Sequence, residues 1–357
     1  MSEPSLLTRP PEPEHRRGRA LRTAAQQAMR WETGLALVVV AIFAFGIAVS
    51  PDFLTASNLF NLGVTSGEVA IMALPMTLII ISGEIDLSVA SILGMSSALL
   101  GYLWARHWPM LAIFVMVALL GMAAGLFNGL MVTRVGLPSL AVTIGTLALY
   151  RGIALIILGS STISNFPAPY NTIGVLGVAN SNLPWNVAIF AVLAVIFGVV
   201  LYFTATGRSI YAMGASPEAA LYAGIRVKRI KLLLFVTSGV VCALAGVLWT
   251  FRLSTAVQNN GIGMELTVVA IVLLAGVSIF GGKGSIIGVV LAVLAFAGLQ
   301  NALLLTNFNQ EATGIVTGGL LLISVFVPTA GSVVARSREW LRARGHRAPS
   351  AIGAGHE

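Results

Sequence analysis

The chain alternates between long apolar runs and short polar breaks. Apolar runs of about 18 residues or more, the length that spans a bilayer as a helix, recur along its 357 residues. The runs are continuous rather than alternating, which favours helices over a transmembrane β-barrel. The pattern therefore predicts an all-α polytopic membrane protein. We expect about ten spanning helices, near 32–50, 67–82, 87–105, 109–132, 138–158, 185–204, 231–251, 265–280, 285–305 and 312–328.

Composition supports this class. Hydrophobic residues make up 57% of the chain and charged residues only 10%, against about 25% charged residues in soluble domains. The formal net charge of +8 lies mostly in the tails and a few loops, so we interpret it as a topology signal rather than as nucleic-acid binding. Cys242 is the single cysteine and sits in an apolar run, which indicates packing rather than a disulfide.

Polar tails flank the apolar region. Residues 1–31 are rich in Arg and Pro and are typical of a disordered basic cytoplasmic tail. The apolar run that follows has the features of a retained signal anchor rather than of a cleaved signal peptide. Residues 329–357 form a second basic cytoplasmic tail. A single transmembrane domain is thus expected over 32–328.

The distribution of Lys and Arg predicts the orientation, because cytoplasmic loops carry the excess of these residues. With a cytoplasmic N-terminus and ten spans, all but three of the 21 Lys and Arg residues fall inside; the three outside are Arg106, Arg151 and Arg252. Nine or eleven spans would move the Arg-rich C-terminal tail outside. We therefore expect both termini inside and two inverted halves of five helices, a plan common in transporters, although the division rests on the count and not on an internal repeat.

Residues 207–231 form a polar, basic island between two apolar runs. The tripeptide Ser216-Pro217-Glu218 is typical of a helix start, and Gly224 of a helix end. The charge distribution places the island in the cytoplasm. The island therefore predicts one short helix of about two turns on the membrane face. Such a helix offers a surface to which another protein can bind.

A second polar break, from Ser82 to Ser88, contains the carboxylates Glu84 and Asp86. A charge at the bilayer centre costs about 2.5–3.5 kcal/mol on insertion scales. Either the two carboxylates line a water-filled pathway, or the segment is a tight cytoplasmic turn in which Asp86 or Ser88 caps the next helix. Both roles are compatible, because a cap at the inner mouth also borders a pathway.

Isolated polar residues inside the spans are pathway candidates or interhelical hydrogen-bonding groups. They are Asn128, Thr143, Thr146, Glu265, Gln300 and Asn301. Arg151 and Arg252, near the outer ends of two spans, either snorkel to the interface or meet an acidic partner. Gly121 and Gly125 predict close helix packing.

The sequence offers no catalytic set. The four His residues lie in the tails or an outer loop, so a helical zinc pair is absent. Gly282-Lys283-Gly284 does not have the spacing of a phosphate-binding loop, because position 277 is Val and Gly follows the lysine. We therefore expect a non-enzymatic chain without metal or cofactor, whose energy source is another subunit.

Four blocks of residues resemble a known family. Glu218-Ala219-Ala220-x-x-x-Gly224 is similar to the EAA loop of bacterial ABC importer permeases, although the Leu-Pro ending of longer EAA loops is missing. The blocks 81–88, 137–146 and 280–285 resemble the monosaccharide branch of ribose, rhamnose and autoinducer-2 permeases, and 150–159 looks closest to rhamnose-type members. The resemblance covers about residues 35–328.

The resemblance implies a type II ABC importer-like fold with a cytoplasmic coupling helix. The residues implied to dock on the ATPase are Glu218, Ala219, Ala220, Gly224 and Arg226. It further implies two permease subunits, identical or different, a cytoplasmic ATP-binding subunit often made of two fused halves, and an extracytoplasmic sugar-binding protein. The expected activity is import of a monosaccharide such as ribose, rhamnose or the autoinducer-2 sugar across the bacterial plasma (inner) membrane.

An ion-coupled secondary sugar transporter is the alternative. That class carries ionisable residues at mid-membrane, for which Glu84, Asp86 and Glu265 are the candidates. It does not need a basic island at 207–231. A membrane-embedded enzyme, the third class, needs a clustered catalytic set that the sequence does not contain.

Overall fold

A computed structural model describes residues 13–306, together with 314–315, 318–319 and 322. This part of the chain is helical and contains no named strand, so the all-α prediction is confirmed there. Its helices are α1 Pro13–Val49, α2 Ala56–Ile81, α3 Val89–Trp104, α4 Met110–Leu130, α5 Ser139–Leu158, α6 Ala168–Val175, α7 Trp185–Phe203, α8 Ala205–Ala215, α9 Pro217–Tyr222, α10 Val227–Leu253, α11 Met264–Leu274 and α12 Ile286–Leu305.

Local sequence explains where most of these helices begin. Proline disfavours continuation of a helix from the residues before it, because it lacks the N–H and clashes with the preceding turn; Pro75, inside α2, is an exception. Helices α4 to α7 each begin directly after one, at Pro109, Pro138, Pro167 and Pro184. A hydroxyl side chain accepts a bond from a free backbone N–H in the first turn of other helices. These caps are Thr55, Thr204, Ser216 and Ser285, for α2, α8, α9 and α12.

Seven helices of the described part are long and apolar enough to cross a membrane. They are α1 over Trp31–Val49, α2, α4 with its π-helical extension to Val135, α5, α7, α10 and α12. Helices α3, with 16 residues, and α11, with 11, are apolar but shorter. Nine of the predicted spans thus correspond to helices. The count of ten is not confirmed. The tenth span, at 312–328, lies mostly outside the described residues, and residues 1–12 and the 329–357 tail lie entirely outside them.

Two helices start earlier than their apolar pattern predicts. Helix α1 is helical from Pro13, in a stretch rich in Ala, Arg and Gln, which have high helix propensity. Helix α2 begins at Ala56 rather than near 67, since its polar side chains are satisfied by neighbours. The Ser66 hydroxyl donates to a carbonyl one turn earlier at 2.7 Å, and Asn58 donates to Asn301 of α12 at 2.7 Å.

Two further boundaries differ from the sequence prediction. Helix α11 ends at Leu274, not near 280, because Gly276 takes a left-handed conformation with φ +83° that ends helices. The basic island contains two short helices, α8 and α9, where one was expected. The extended backbone of Ser216, with φ −159°, separates them. The second helix, Pro217–Tyr222, corresponds to the predicted one.

Helix α10 is central to the packing and contacts α2, α3 and α4. Its contact with α4 runs along glycines. A Cβ atom at Gly121 would lie 2.4 Å from the Gly239 carbonyl oxygen, and one at Gly125 would lie 2.2 Å from that of Phe235. Small residues thus let the two backbones meet, as predicted. Helices α1, α5 and α7 are largely exposed along their apolar faces, so these faces meet lipid or another subunit.

Candidate coupling and transport sites

One end of the bundle, which we call the basic end, brings together four segments. They are the C-terminal end of α2, helices α8 and α9, the first turns of α10, and the loop 275–285 between α11 and α12. The opposite end carries the α2 N-terminus, α6 and the C-terminal end of α10. The candidate residues from sequence divide between these two ends and the buried region between them.

Helix α9 stands out at the basic end through its exposure. The Ser216 hydroxyl accepts from the Ala219 N–H at 3.3 Å and so caps the helix, while Ala220 is buried at 3% exposure. The side chains of Leu221 and Tyr222 are 65% and 92% exposed. A short, capped helix that presents large apolar side chains outward is a candidate docking surface.

The ends of α9 match the sequence prediction. Glu218 and Ala219 are exposed in its first turn, where a carboxylate interacts favourably with the helix dipole. Gly224 has φ +78°, a left-handed conformation that side chains other than glycine adopt at a cost. Arg226 follows, exposed, directly before α10.

Helix α8 joins α9 to the loop 275–285 and to α2 by backbone contact. A Cβ atom at Gly214 would lie 1.8 Å from the Ile81 carbonyl oxygen, and the Gly282 N–H donates to that same oxygen at 2.8 Å. The Tyr211 hydroxyl donates to the Gly284 carbonyl at 2.7 Å. Burial raises the pKa of Tyr211, so the phenol remains a neutral donor. The 280–285 block therefore belongs to the same rigid assembly as the island.

Glu84 lies at the basic end and forms an ion pair with Lys231 in α10. The two side chains are 14% and 15% exposed, so the pair is shielded from most of the solvent. The 82–88 segment is a tight turn between α2 and α3, closed by a bond from the Glu84 N–H to the Ile79 carbonyl at 3.1 Å. This geometry favours the turn alternative for Glu84.

Asp86 is fully buried and anchors a polar network. Its Oδ1 atom accepts from the Ser88 N–H at 3.0 Å and from the Ser88 hydroxyl at 2.6 Å. The Ser238 hydroxyl of α10 donates to Oδ2 at 3.3 Å. Asn128 of α4 donates to the Ser88 hydroxyl oxygen at 2.8 Å, and the Tyr150 hydroxyl of α5 lies 3.0 Å from Asn128 Oδ1. The turn, α4, α5 and α10 thus share one hydrogen-bond network, in which the turn and α10 contact the carboxylate directly.

These contacts bear on the pathway candidates. Asp86, Ser88 and Asn128 satisfy one another between helices, and Asp86 holds the backbone at the start of α3. Thr143 donates to the Ile85 carbonyl at 3.2 Å, and Thr146 lies 3.4 Å from the Thr143 carbonyl in the same helix. Within this single chain the arrangement favours a structural network. Asp86 accepts from the N–H of Ser88, the residue directly before α3, while Ser88 itself makes no side-chain capping bond. A role in the pathway stays a prediction for these residues.

Sequence analysis left two alternatives for Arg252, snorkelling to the interface or pairing with an acidic residue. In the structure, at the end opposite the basic end, Arg252 pairs with an acidic residue. Its Nε atom donates to Glu68 Oε1 of α2 at 2.7 Å, and Asn186 of α7 donates to the same oxygen at 3.2 Å. Glu68 is 0% exposed. Sequence reasoning did not single out Glu68, although the predicted span 67–82 includes it at its start. The signal was a lone acid within one turn of a strongly apolar run.

Arg151 and Glu265 are the remaining candidates. Arg151 is half-buried, and its Nη1 atom lies 2.5 Å from the Asn260 carbonyl oxygen. Its partner is thus a backbone carbonyl, although Glu265 also interacts with it electrostatically. One carboxylate oxygen of Glu265 is buried without a hydrogen-bond partner. In the described residues, no cluster of three or more His, Cys, Asp or Glu side chains has the geometry to hold a metal ion.

A bundle of membrane-crossing helices, with a buried polar network and a short helix exposed at its basic end, defines a membrane transport permease. The chain belongs to the family described as branched-chain amino acid transport system / permease component, whose model matches residues 58–325. It is a multi-pass protein of the bacterial plasma (inner) membrane, and its membership of the ABC monosaccharide permease branch is confirmed by its relatives.

Several relatives are named autoinducer 2 import system permease protein LsrD. The protein from Klebsiella pneumoniae subsp. pneumoniae is 31% identical over 326 residues, which cover 89% of this chain and 96% of that protein. Those from Escherichia coli strain K12 and Shigella flexneri are 32% identical over 321 residues, covering 88% of this chain and 96% of each. No solved structure matches the chain.

Proposed function

We propose that this chain is the permease subunit of a binding-protein-dependent ABC importer, which moves a monosaccharide into the cytoplasm with energy from ATP hydrolysed on a separate subunit. The similarity to autoinducer-2 import permeases over nearly the whole chain supports import of a small sugar. The substrate class is a pentose or deoxyhexose, such as ribose or rhamnose, or the autoinducer-2 sugar. Much of the selectivity resides in the binding protein.

The exposure of α9 is the observation that carries the proposal. An apolar surface of this kind on a membrane protein marks an interaction site, and Tyr222 at 92% exposure makes almost no contact within the chain. The ATPase subunit docks on Glu218, Ala219, Gly224 and Arg226 together with these exposed side chains. Ala220, which the sequence resemblance included, is buried and instead packs α9 against the bundle. Because α9 is short and capped, it passes a rigid movement of the ATPase to α8 and α10.

The same proposal assigns the two ends of the bundle. The basic end faces the cytoplasm, in accord with the excess of Lys and Arg there, and both termini lie inside. The opposite end, with Arg151 and Arg252, faces the sugar-binding protein. A second permease subunit, identical or different, covers part of the exposed face of α5, where Ile156 is 84% exposed. The ATPase consists of two fused halves.

The geometry of Glu84 and Asp86, two of the three candidate carboxylates, argues against an ion-coupled secondary transporter. An ion-coupled carrier uses ionisable groups that bind and release the coupling ion. Here Glu84 is paired with Lys231, and Asp86 is closed off by hydroxyl and backbone donors. Neither is available for a cycling ion in this conformation.

Site-directed cross-linking tests the docking. Cys242 is buried, so a Cys242→Ala background allows single reporter cysteines. Tyr222→Cys is placed on α9, and Leu111→Cys, 77% exposed at the start of α4, is the matched control on the opposite end. The tagged permease is purified from its own host after treatment with a short bifunctional thiol–amine reagent. We expect Tyr222→Cys alone to link to a protein with a phosphate-binding loop, identified by mass spectrometry. An α9 cysteine that links to no ATPase would contradict the proposal.

A further inference from the structure

The turn between α2 and α3 is held by two different helices at successive residues. Glu84 pairs with Lys231 of α10, Ile85 bonds through its backbone to α5, and Asp86 accepts from Ser238 of α10. We propose that this turn is the joint that carries the movement of α9 to α5, with Glu84 and Lys231 as the positioning pair. The inference rests on the function proposed above and adds a route for the movement.

The α10 side of the joint has two attachment points on one helix face. Lys231 and Ser238 are seven residues apart, which is about two helical turns, so both side chains point toward the turn. The first attachment point is the ion pair of Lys231 with Glu84, whose side chains are mostly buried. The second is a bond from the Ser238 hydroxyl to Asp86 Oδ2 at 3.3 Å. Two separated points fix both the position and the direction of the turn relative to α10.

The α5 side of the joint is also doubly attached. The Ile85 N–H donates to the Ser139 hydroxyl oxygen at 3.1 Å, and the Thr143 hydroxyl donates to the Ile85 carbonyl at 3.2 Å. Ser139 and Thr143 are one helical turn apart at the start of α5. Because one residue of the turn is held from both its N–H and its C=O, the turn and the start of α5 move together.

The connection between α9 and α10 is short and held by backbone hydrogen bonds. Only residues 223–226 separate the two helices. The Ile225 N–H donates to the Ala220 carbonyl at 3.0 Å, and the Val227 N–H donates to the Ile225 carbonyl at 2.8 Å. Lys231 lies just beyond, four residues into α10. A displacement of α9 therefore reaches Lys231 through a short, hydrogen-bonded link.

A charge pair can attach the turn to α10 because both of its side chains are mostly buried. Removal of one partner leaves the other uncompensated in a partly desolvated site, which weakens the attachment without removing the helices. Exchange of the two charges restores the attraction. A pair that only stabilises the fold would change expression and unfolding temperature, whereas a pair in the route changes how much sugar is moved per ATP.

The experiment uses the complete importer, with binding protein and ATPase, in proteoliposomes. Uptake of radiolabelled ribose, rhamnose and autoinducer-2, tested in parallel, and ATP hydrolysis are measured on the same preparation. The variants are Glu84→Gln, Lys231→Gln and the exchange Glu84→Lys with Lys231→Glu. The matched control is Lys228→Gln, which removes an exposed positive charge from the same end of α10. Thermal unfolding and retention of the ATPase on the permease are recorded for each variant.

We expect each single variant to keep the ATPase bound and to hydrolyse ATP, while sugar moved per ATP falls about fivefold or more, the range of a typical coupling between sites. The charge-exchange variant restores at least half of the wild-type amount of sugar moved per ATP, and Lys228→Gln leaves that amount unchanged. A wild-type ratio in both single variants, or a loss explained wholly by a lower unfolding temperature, would overturn the inference while the function stands. If wild type itself shows no ATP-driven uptake of any probe, the proposed function fails instead.

Discussion

Glu68 of α2 and Arg252 of α10 form an ion pair with 2.7 Å between Oε1 and Nε, although they lie 184 residues apart in sequence. The Glu68 side chain is 0% exposed and that of Arg252 is 12% exposed. Arg252 also lies over the Trp249 ring, 4.5 Å from its centroid. The pair therefore joins two core helices within the apolar part of the bundle and away from the basic end.

Breaking this pair from one side should strongly destabilise the protein. In Glu68→Ala the guanidinium of Arg252 loses its counter-charge, and removal of one partner from a buried pair costs about 3–5 kcal/mol. The double variant Glu68→Gln with Arg252→Gln removes both charges, so we expect it to unfold at a higher temperature than either single glutamine variant. Thermal unfolding of the purified protein in detergent measures this order. Strictly additive effects would show that the two groups are not coupled.

The α4–α10 contact should not tolerate even a methyl group. A Cβ atom at Gly239 would lie 2.1 Å from the Gly121 carbonyl oxygen, so Gly239→Ala forces the two backbones apart. Overpacking of this kind costs about 1–3 kcal/mol. Gly198→Ala in α7 is the control, since nothing lies within 4 Å of its added Cβ and alanine favours the helix by about 0.5–1 kcal/mol. We expect a lower unfolding temperature for the first variant and an equal or higher one for the second.

The Asp86 network distinguishes a cap from a pathway residue. Asp86→Asn keeps an oxygen that accepts from the Ser88 N–H, so a capping role predicts normal folding and near-normal uptake. Asp86→Leu removes the acceptor and leaves the Ser88 and Ser238 groups without it, at about 1–3 kcal/mol. Uptake in proteoliposomes and thermal unfolding are compared for both variants. Lost uptake in Asp86→Asn with normal unfolding would instead place the carboxylate in the pathway.

Glu218 tests whether the first turn of α9 only starts the helix or also contacts the ATPase. Glu218→Lys puts a positive charge at the positive end of the helix dipole, which is unfavourable by about 0.3–1 kcal/mol. We expect ATP-driven uptake to be lost while membrane insertion stays normal. Glu218→Gln removes the charge but keeps the shape. Full uptake in Glu218→Gln would indicate that the carboxylate only starts the helix, whereas wild-type uptake in Glu218→Lys would refute a coupling role.

The all-α architecture could be predicted because each membrane-spanning helix requires a continuous apolar run of matching length, which the sequence shows directly. The short helix α9 could also be predicted, because Pro217 favours the start of a helix and Gly224 favours its end. Gly121 and Gly125 predicted that their helix packs closely on a neighbour, and the structure shows that the neighbour is α10. Each of these features depends on local residue types, which a single sequence records.

Features that depend on partners from distant segments were not visible. Glu68 lies at the start of the predicted span 67–82, but only the fold brings Arg252 and Asn186 to it. Likewise, two carboxylates in one turn did not reveal that Glu84 is paired with Lys231 while Asp86 is held by hydroxyl groups. From the sequence alone, the same residues are compatible with a pathway and with a cap.

The energy source of transport tests the central claim most directly. Proteoliposomes containing the permease alone, and others containing it with ATPase and binding protein, are compared for uptake of radiolabelled ribose, rhamnose and autoinducer-2. Each preparation is given internal or external ATP, or an imposed proton or sodium gradient. We predict uptake only in the complete assembly with ATP on the side of the ATPase. Uptake by the permease alone, driven by an ion gradient without ATP, would contradict the account.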